Sequence, residues 1–175
     1  MLGLTRNKLE PLRDQLRARG QRPSIVVPAP ATSTELIDAM HLVEQWGPFT
    51  ELMYLVMAAD RRVLNVEREV LRGALAVLSA EKVRTRHMEA MLDAATRRVA
   101  ADGTEARLEI VLESLRADKA RAETAAVVAA AIAAADHRFA PEEHAILARI
   151  FSGLGIADAR AAEILTDLEA ELGTK

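Results

Sequence analysis

The stretch LVMAADRRVLNVEREVLRGALAVL, residues 55–78, returns 76 positions later as AIAAADHRFAPEEHAILARIFSGL, residues 131–154. Aligned without a gap, the copies share Ala58/Ala134, Ala59/Ala135, Asp60/Asp136, Arg62/Arg138, Glu67/Glu143, Leu71/Leu147 and Leu78/Leu154. They also exchange apolar for apolar at Val63/Phe139, Val70/Ile146 and Leu75/Phe151. Apolar residues three and four apart mark one face of a helix, so the repeated unit reads as helix, short loop, helix. Residues 50–78 and 126–154 are expected to superpose.

Composition agrees with helices. Half of the 175 residues are apolar but only five are aromatic, so the core must be built from Ala, Leu, Val, Ile and Met on closely approaching helices rather than from the β-branched and aromatic residues of a sandwich or barrel. Ten of the sixteen residues from Ala120 to Ala135 are Ala, a helix able to sit in the middle of a bundle. Its longest apolar run, Ala125 to Ala135, falls well short of the ~20 residues that span a bilayer. No cysteine occurs, which excludes disulfides and thiolate-bound zinc and points to a reducing cytoplasm.

Around the repeat, the chain divides into a basic amphipathic helix in residues 1–20, a Pro-rich linker in 21–33 and a helical domain in 34–173. Leu9, Leu12 and Leu16 lie three and four apart among Arg6, Lys8, Arg13, Arg17 and Arg19, and Gly20 ends that segment. Pro23, Pro28 and Pro30 rule out helix and central strand in the linker. Ser33 or Thr34 caps the first body helix, which Gly47-Pro48 should break before a second runs from Phe49 to about Ala59. A helix capped by Asn65, a long one opened by Ser79 or Ala80 and stopped at Asp102-Gly103, and helices near 104–117, 119–135, 141–152 and 156–172 complete the series. The expected fold is all-α, a compact bundle of about seven to eight helices with internal duplication. Met40, Met53, Met57, Met88 and Met91 read as core filler, and Trp46 and Tyr54 as packing anchors.

The chemistry-bearing residues of the repeat are its carboxylates. Asp60 and Asp136 stand where a helix ends, and that end carries partial negative charge, so each anion needs a compensating partner. Glu67 and Glu143 fall in the first turn of the next helix, and the tight loop brings each Asp back beside its Glu. Two carboxylates so placed call for a proton, a cation or several N–H donors. The bland reading needs no metal: each Asp accepts N–H bonds in its own loop, and each Glu favours the positive helix end.

This Ala-Ala-Asp, with Glu seven residues on and used twice around a helical middle section, resembles the tellurite-resistance TerB-like family over roughly residues 35 to 172. The resemblance implies an all-α duplicated domain whose acidic loop residues hold a divalent metal, near a membrane or within stress-response complexes. The metal candidates carried over are Asp60, Glu67, Asp136 and Glu143, for calcium, magnesium, manganese or zinc. The family usually writes Asp-Gly in each loop, because the residue after the Asp takes positive φ; Arg61 and His137 hold those places here.

Other chemistries find no footing. Neither loop carries the alternating oxygen ligands and central Gly of a calcium-sensing loop, and there is no phosphate-binding Gly-rich loop or nucleophile with a positioned base. The net charge of −3 and the lack of a Lys/Arg-rich recognition face argue against nucleic acid as a partner. The sequence thus predicts a non-enzymatic module that binds a divalent cation and docks on a protein partner, with residues 1–20 able to touch an anionic membrane. A metal-free protein-interaction scaffold is the alternative.

Overall fold

In the computed structural model, which describes residues 9–21, 33–135 and 141–172, every regular element is a helix. The described residues form α1 (Leu9–Gly20), α2 (Ser33–Met57), α3 (Asn65–Leu78), α4 (Thr85–Asp102), α5 (Thr104–Arg116), α6 (Lys119–Ala133), α7 (Pro141–Gly153) and α8 (Asp158–Leu172).

The duplication is visible in the helix boundaries. α2 ends at Met57 and α3 starts at Asn65, while α6 ends at Ala133 and α7 starts at Pro141, both boundaries displaced by the same 76 positions. The last turns also match bond for bond. Ala58 N–H donates to the Tyr54 carbonyl and Ala59 N–H to that of Val56; Ala134 donates to Ala130 and Ala135 to Ile132. Burial follows the same register, with Glu67, Val70, Leu71, Ala74 and Leu75 matched by Glu143, Ile146, Leu147, Ile150 and Phe151, all inside.

The two repeat-equivalent helices form the centre of the molecule. From Phe49 to Met57 only Tyr54 is less than fully buried, and from Ala125 to Ala135 every residue is buried. A helix apolar on all sides must be surrounded, and α6 touches α1, α2, α3, α5, α7 and α8. Alanine at most of these positions keeps the side chains short, so neighbouring backbones approach closely.

Expectations about three elements need correction. α2 does not break at Gly47-Pro48; it runs through Pro48 as one helix. An internal proline removes the hydrogen bond to the carbonyl four residues back and costs about 3 kcal/mol, so something must offset it. Trp46 sets its ring edge-on to Phe49 across the proline, with centroids 5.9 Å apart, and both pack on the core. The Arg121 guanidinium donates to the Gln45 carbonyl at 2.7 Å, beside the gap that Pro48 creates. Met40, expected in the core, is 62% exposed on the same helix.

The second correction concerns α4, which starts at Thr85 and not at Ser79 or Ala80. Residues 79–84 instead turn the chain. Glu81 N–H reaches back to the Ala76 carbonyl and Ala80 N–H to that of Val77, a Schellman closure of α3, and Ser79 Oγ accepts the Val83 N–H at 2.9 Å. Ala80 and Glu81 both take positive φ, 51° and 64°. The end of α7 closes the same way, with Ile156 N–H bonding to the Phe151 carbonyl and Gly155 N–H to that of Ser152, but there a glycine holds the left-handed position at φ 72°. Ala80→Gly is therefore expected to stabilise the protein by about 0.5–1 kcal/mol, since it removes the left-handed penalty of a Cβ. Urea unfolding with an unchanged m-value would register the gain as a higher midpoint.

The third correction is α1. Read from sequence as a basic helix set apart by a linker and able to touch an anionic membrane, it lies against α3, with backbone touching backbone: a methyl at Gly73 would sit 1.6 Å from the Leu16 carbonyl oxygen, and one at Gly20 would sit 1.8 Å from that of Glu69. Leu16 and Arg13 are buried, and the Arg13 guanidinium reaches the Ala134 carbonyl at 3.4 Å, at the end of α6. Arg17 and Gln21 bond to Glu69, Arg19 pairs with Glu81, and Arg72 donates to the Gly20 carbonyl at 2.6 Å. The basic face that reads as free for other surfaces is matched to acidic residues of the body. The linker region 22–32 lies outside the described residues.

Candidate functional site

The first acidic loop follows α2. Asp60 Oδ1 accepts the Arg62 N–H at 2.8 Å, which closes the loop on its own backbone. Between them Arg61 sits at φ 65°, the left-handed setting that the resemblance places after the Asp. Glu67, at the third position of α3, turns back so that its Oε2 accepts the Leu64 N–H at 2.6 Å. This is one half of a capping box, because Leu64 at the cap has no side-chain acceptor to return the bond. Both carboxylates of the first repeat thus hold backbone donors.

The second loop is described in part. Glu143 lies in the first turn of α7 at 6% exposure, against 3% for Glu67, so the two occupy equivalent depths. Asp136 and His137 lie outside the described residues. Among the described residues no three His, Asp or Glu side chains come together as a metal ligand set.

A different carboxylate is engaged by side chains on both of its oxygens. Glu51 of α2 is buried, and both of its oxygens are taken. Arg107 of α5 grips it in fork geometry, Nε to Oε1 at 2.7 Å and Nη2 to Oε2 at 3.1 Å, while Arg98 of α4 donates Nε to Oε2 at 2.8 Å. Arg107 also reaches Asp102 at 3.3 Å. The hydrogen bond to Glu51 pushes the Arg107 proton affinity above its ordinary value, with Asp102 adding to it. A carboxylate saturated by two guanidinium groups is neither base nor nucleophile; it clamps α2 to α4 and α5. The sequence carries one signal of it, a lone acid in the apolar run Phe49–Met57, but nothing in the spacing could pair it with residues 47 and 56 positions away.

Other ion pairs tie neighbouring helices together nearer the surface. Arg149 of α7 pairs in fork geometry with Glu105 of α5 and draws its carboxyl below the usual range, and Arg68 of α3 pairs with Glu89 of α4. Burial, with Arg86 close by, pushes the His87 imidazole below its ordinary value; its Nδ1 accepts the Arg84 N–H at 3.2 Å at the start of α4.

Among the described residues no helix is long and apolar enough to cross a membrane. No family model matches the chain, and no curated protein or solved structure matches it.

Proposed function

We propose that this chain is a non-enzymatic, TerB-like helical module that docks on a protein partner, and that its duplicated acidic loops serve to close helix ends rather than to hold a divalent cation. The observation that carries the reading is the state of the first loop: Asp60 and Glu67 each accept a main-chain N–H, the work that a metal would otherwise be needed to do for two neighbouring carboxylates. Support for docking comes from α2, where Ile37, Met40 and Val43 recur every three residues and stand 54%, 62% and 40% exposed. Clustered exposed apolar side chains of this kind mark interaction surfaces more often than isolated ones do. The packing of Leu16 on α3 speaks for a structural role of α1 over membrane contact through residues 1–20.

Calorimetry with calcium, magnesium, manganese and zinc tests the first half, and no heat of binding is expected. Heat that disappears in Asp60→Asn would restore the metal reading carried by the resemblance. For the second half, an Ile37→Glu, Met40→Glu variant is expected to keep its stability within about 0.5 kcal/mol, as exposed substitutions do, and to lose a partner that the wild type captures. Equal capture by both proteins would remove α2 as the docking face.

A further inference from the structure

The face of α2 that carries Ile37, Met40 and Val43 also carries charge, and the charge is of one sign. From Ser33 to Met57 the helix holds Glu35, Asp38, Glu44 and Glu51 and no Lys or Arg. Glu51 is answered inside the body by Arg98 and Arg107. Asp38 and Glu44 stand exposed, and neither has a hydrogen bond or ion pair among the described residues. Arg121, which reaches the same stretch, donates to the Gln45 carbonyl rather than to either acid. Glu44 follows Met40 by four residues and Ile37 by seven, which puts its carboxylate on their side of the helix. Met40, Val43 and Glu44 also border one open depression of about 570 Å³.

Helix position does not account for these charges. The positive end of a helix favours an acid in its first turn, and the effect fades beyond that turn. Asp38 is the sixth residue of α2 and Glu44 the twelfth. Nor does the body cover the stretch, since no residue from Ile37 to Gln45 is buried. Short helices are marginal in water and draw their stability from packing along an apolar face, and here that face is without its packing.

Charge selects the occupant. A second copy would set acid against acid, and an anionic bilayer or a nucleic acid would be repelled for the same reason. A helix with apolar residues three and four apart, bordered by Lys or Arg, meets the apolar stripe and the carboxylates together. The chain already uses this pairing internally: Leu16 of α1 is buried, while Arg17 pairs with Glu69 and Arg19 with Glu81.

We propose that this face of α2 docks a basic amphipathic helix of a partner protein, its apolar side chains on Ile37, Met40 and Val43 and its Lys or Arg on Asp38 and Glu44. Such a partner is assigned to the docking face put forward above and presupposes it.

A synthetic amphipathic helix of Leu and Lys is the probe, titrated calorimetrically into the full-length protein, with the same peptide carrying Glu for Lys as comparison. The Leu/Lys peptide is expected to bind about tenfold more tightly than the Leu/Glu peptide, and to weaken as salt is raised. Asp38→Lys combined with Glu44→Lys should reverse that order, and Met40→Ser should weaken the Leu/Lys peptide about tenfold. Ile110→Ser, at an exposed apolar position of α5, should leave its binding unchanged. Because these positions are exposed, the melting temperatures of all the variants are expected to stay near that of the wild type. Equal binding of the two peptides, lost in Met40→Ser, would keep α2 as a docking face but overturn its choice of a basic helix. No binding of the Leu/Lys peptide, or a preference unmoved by charge reversal, would overturn that choice as well. Undiminished binding to Met40→Ser would remove the face itself, and with it the docking reading. A dimer in sedimentation that Met40→Ser abolishes would give the face to a second copy instead.

Discussion

Gly73→Ala is expected to destabilise the protein by about 2–3 kcal/mol, the upper part of the range for forcing a methyl into packed space. The added Cβ would lie 1.6 Å from a main-chain oxygen of α1, and a carbonyl in a helix cannot swing aside as a side chain can. Helix propensity works the other way, since Ala is favoured over Gly in a helix interior by about 1 kcal/mol. The sign of the net effect therefore depends on α1. In a protein lacking residues 1–21 the same substitution is expected to stabilise by about 1 kcal/mol. Thermal unfolding of the four proteins checks this: a melting temperature lowered by Gly73→Ala in the full chain and raised in the truncated one establishes the docking. Equal effects in both would mean that α1 spends its time away from α3.

Glu51→Ala is expected to cost about 3 kcal/mol, the lower end for removing one partner of a buried ion pair. The lower end applies because the side chain of Arg98 is 39% exposed and can turn to water, whereas that of Arg107 is 14% exposed and cannot do so as readily. Water does not help Glu51 itself, at 3% exposure of its side chain. Replacing the acid and the base together, Glu51→Leu with Arg107→Leu, should cost less than Glu51→Leu alone, because the double change removes the stranded charge. Denaturant unfolding of the three variants gives the comparison. A double variant as unstable as the sum of its parts would show that the clamp owes its strength to shape rather than charge.

The parts of this structure legible in sequence are those set by local chemistry. The repeat places the α2–α3 and α6–α7 junctions because each copy carries its own apolar register and its own turn residues, and the expected positive φ after the Asp is found at Arg61. Asp60 and Glu67 stand out in sequence as the carboxylates flanking the loop, and the structure shows which backbone donors they hold. The misreadings share a cause, a local rule overridden from a distance. Pro48 ends helices in isolation but not where Trp46, Phe49 and Arg121 hold both sides of it. α1 reads as free because its amphipathic pattern is equally suited to a membrane or a protein groove, and residues of other helices, Gly73, Glu69 and Arg72 among them, select between the two. Glu51 reads as an isolated acid because its partners come from two later helices.

The docking of α1 also has a consequence in time. A chain leaves the ribosome from its N-terminus, so α1 is synthesised before any part of its seat exists. Arg13 must wait for Ala134, 121 residues later, and Leu16 for Gly73. Contacts of such long sequence separation are formed late, after the local helical hairpins have closed. Until α3 is made, the first helix is thus a basic amphipathic segment with Leu16 uncovered, available to chaperones or to the wrong neighbour, and the contact of Arg13 closes only when the sixth helix is complete.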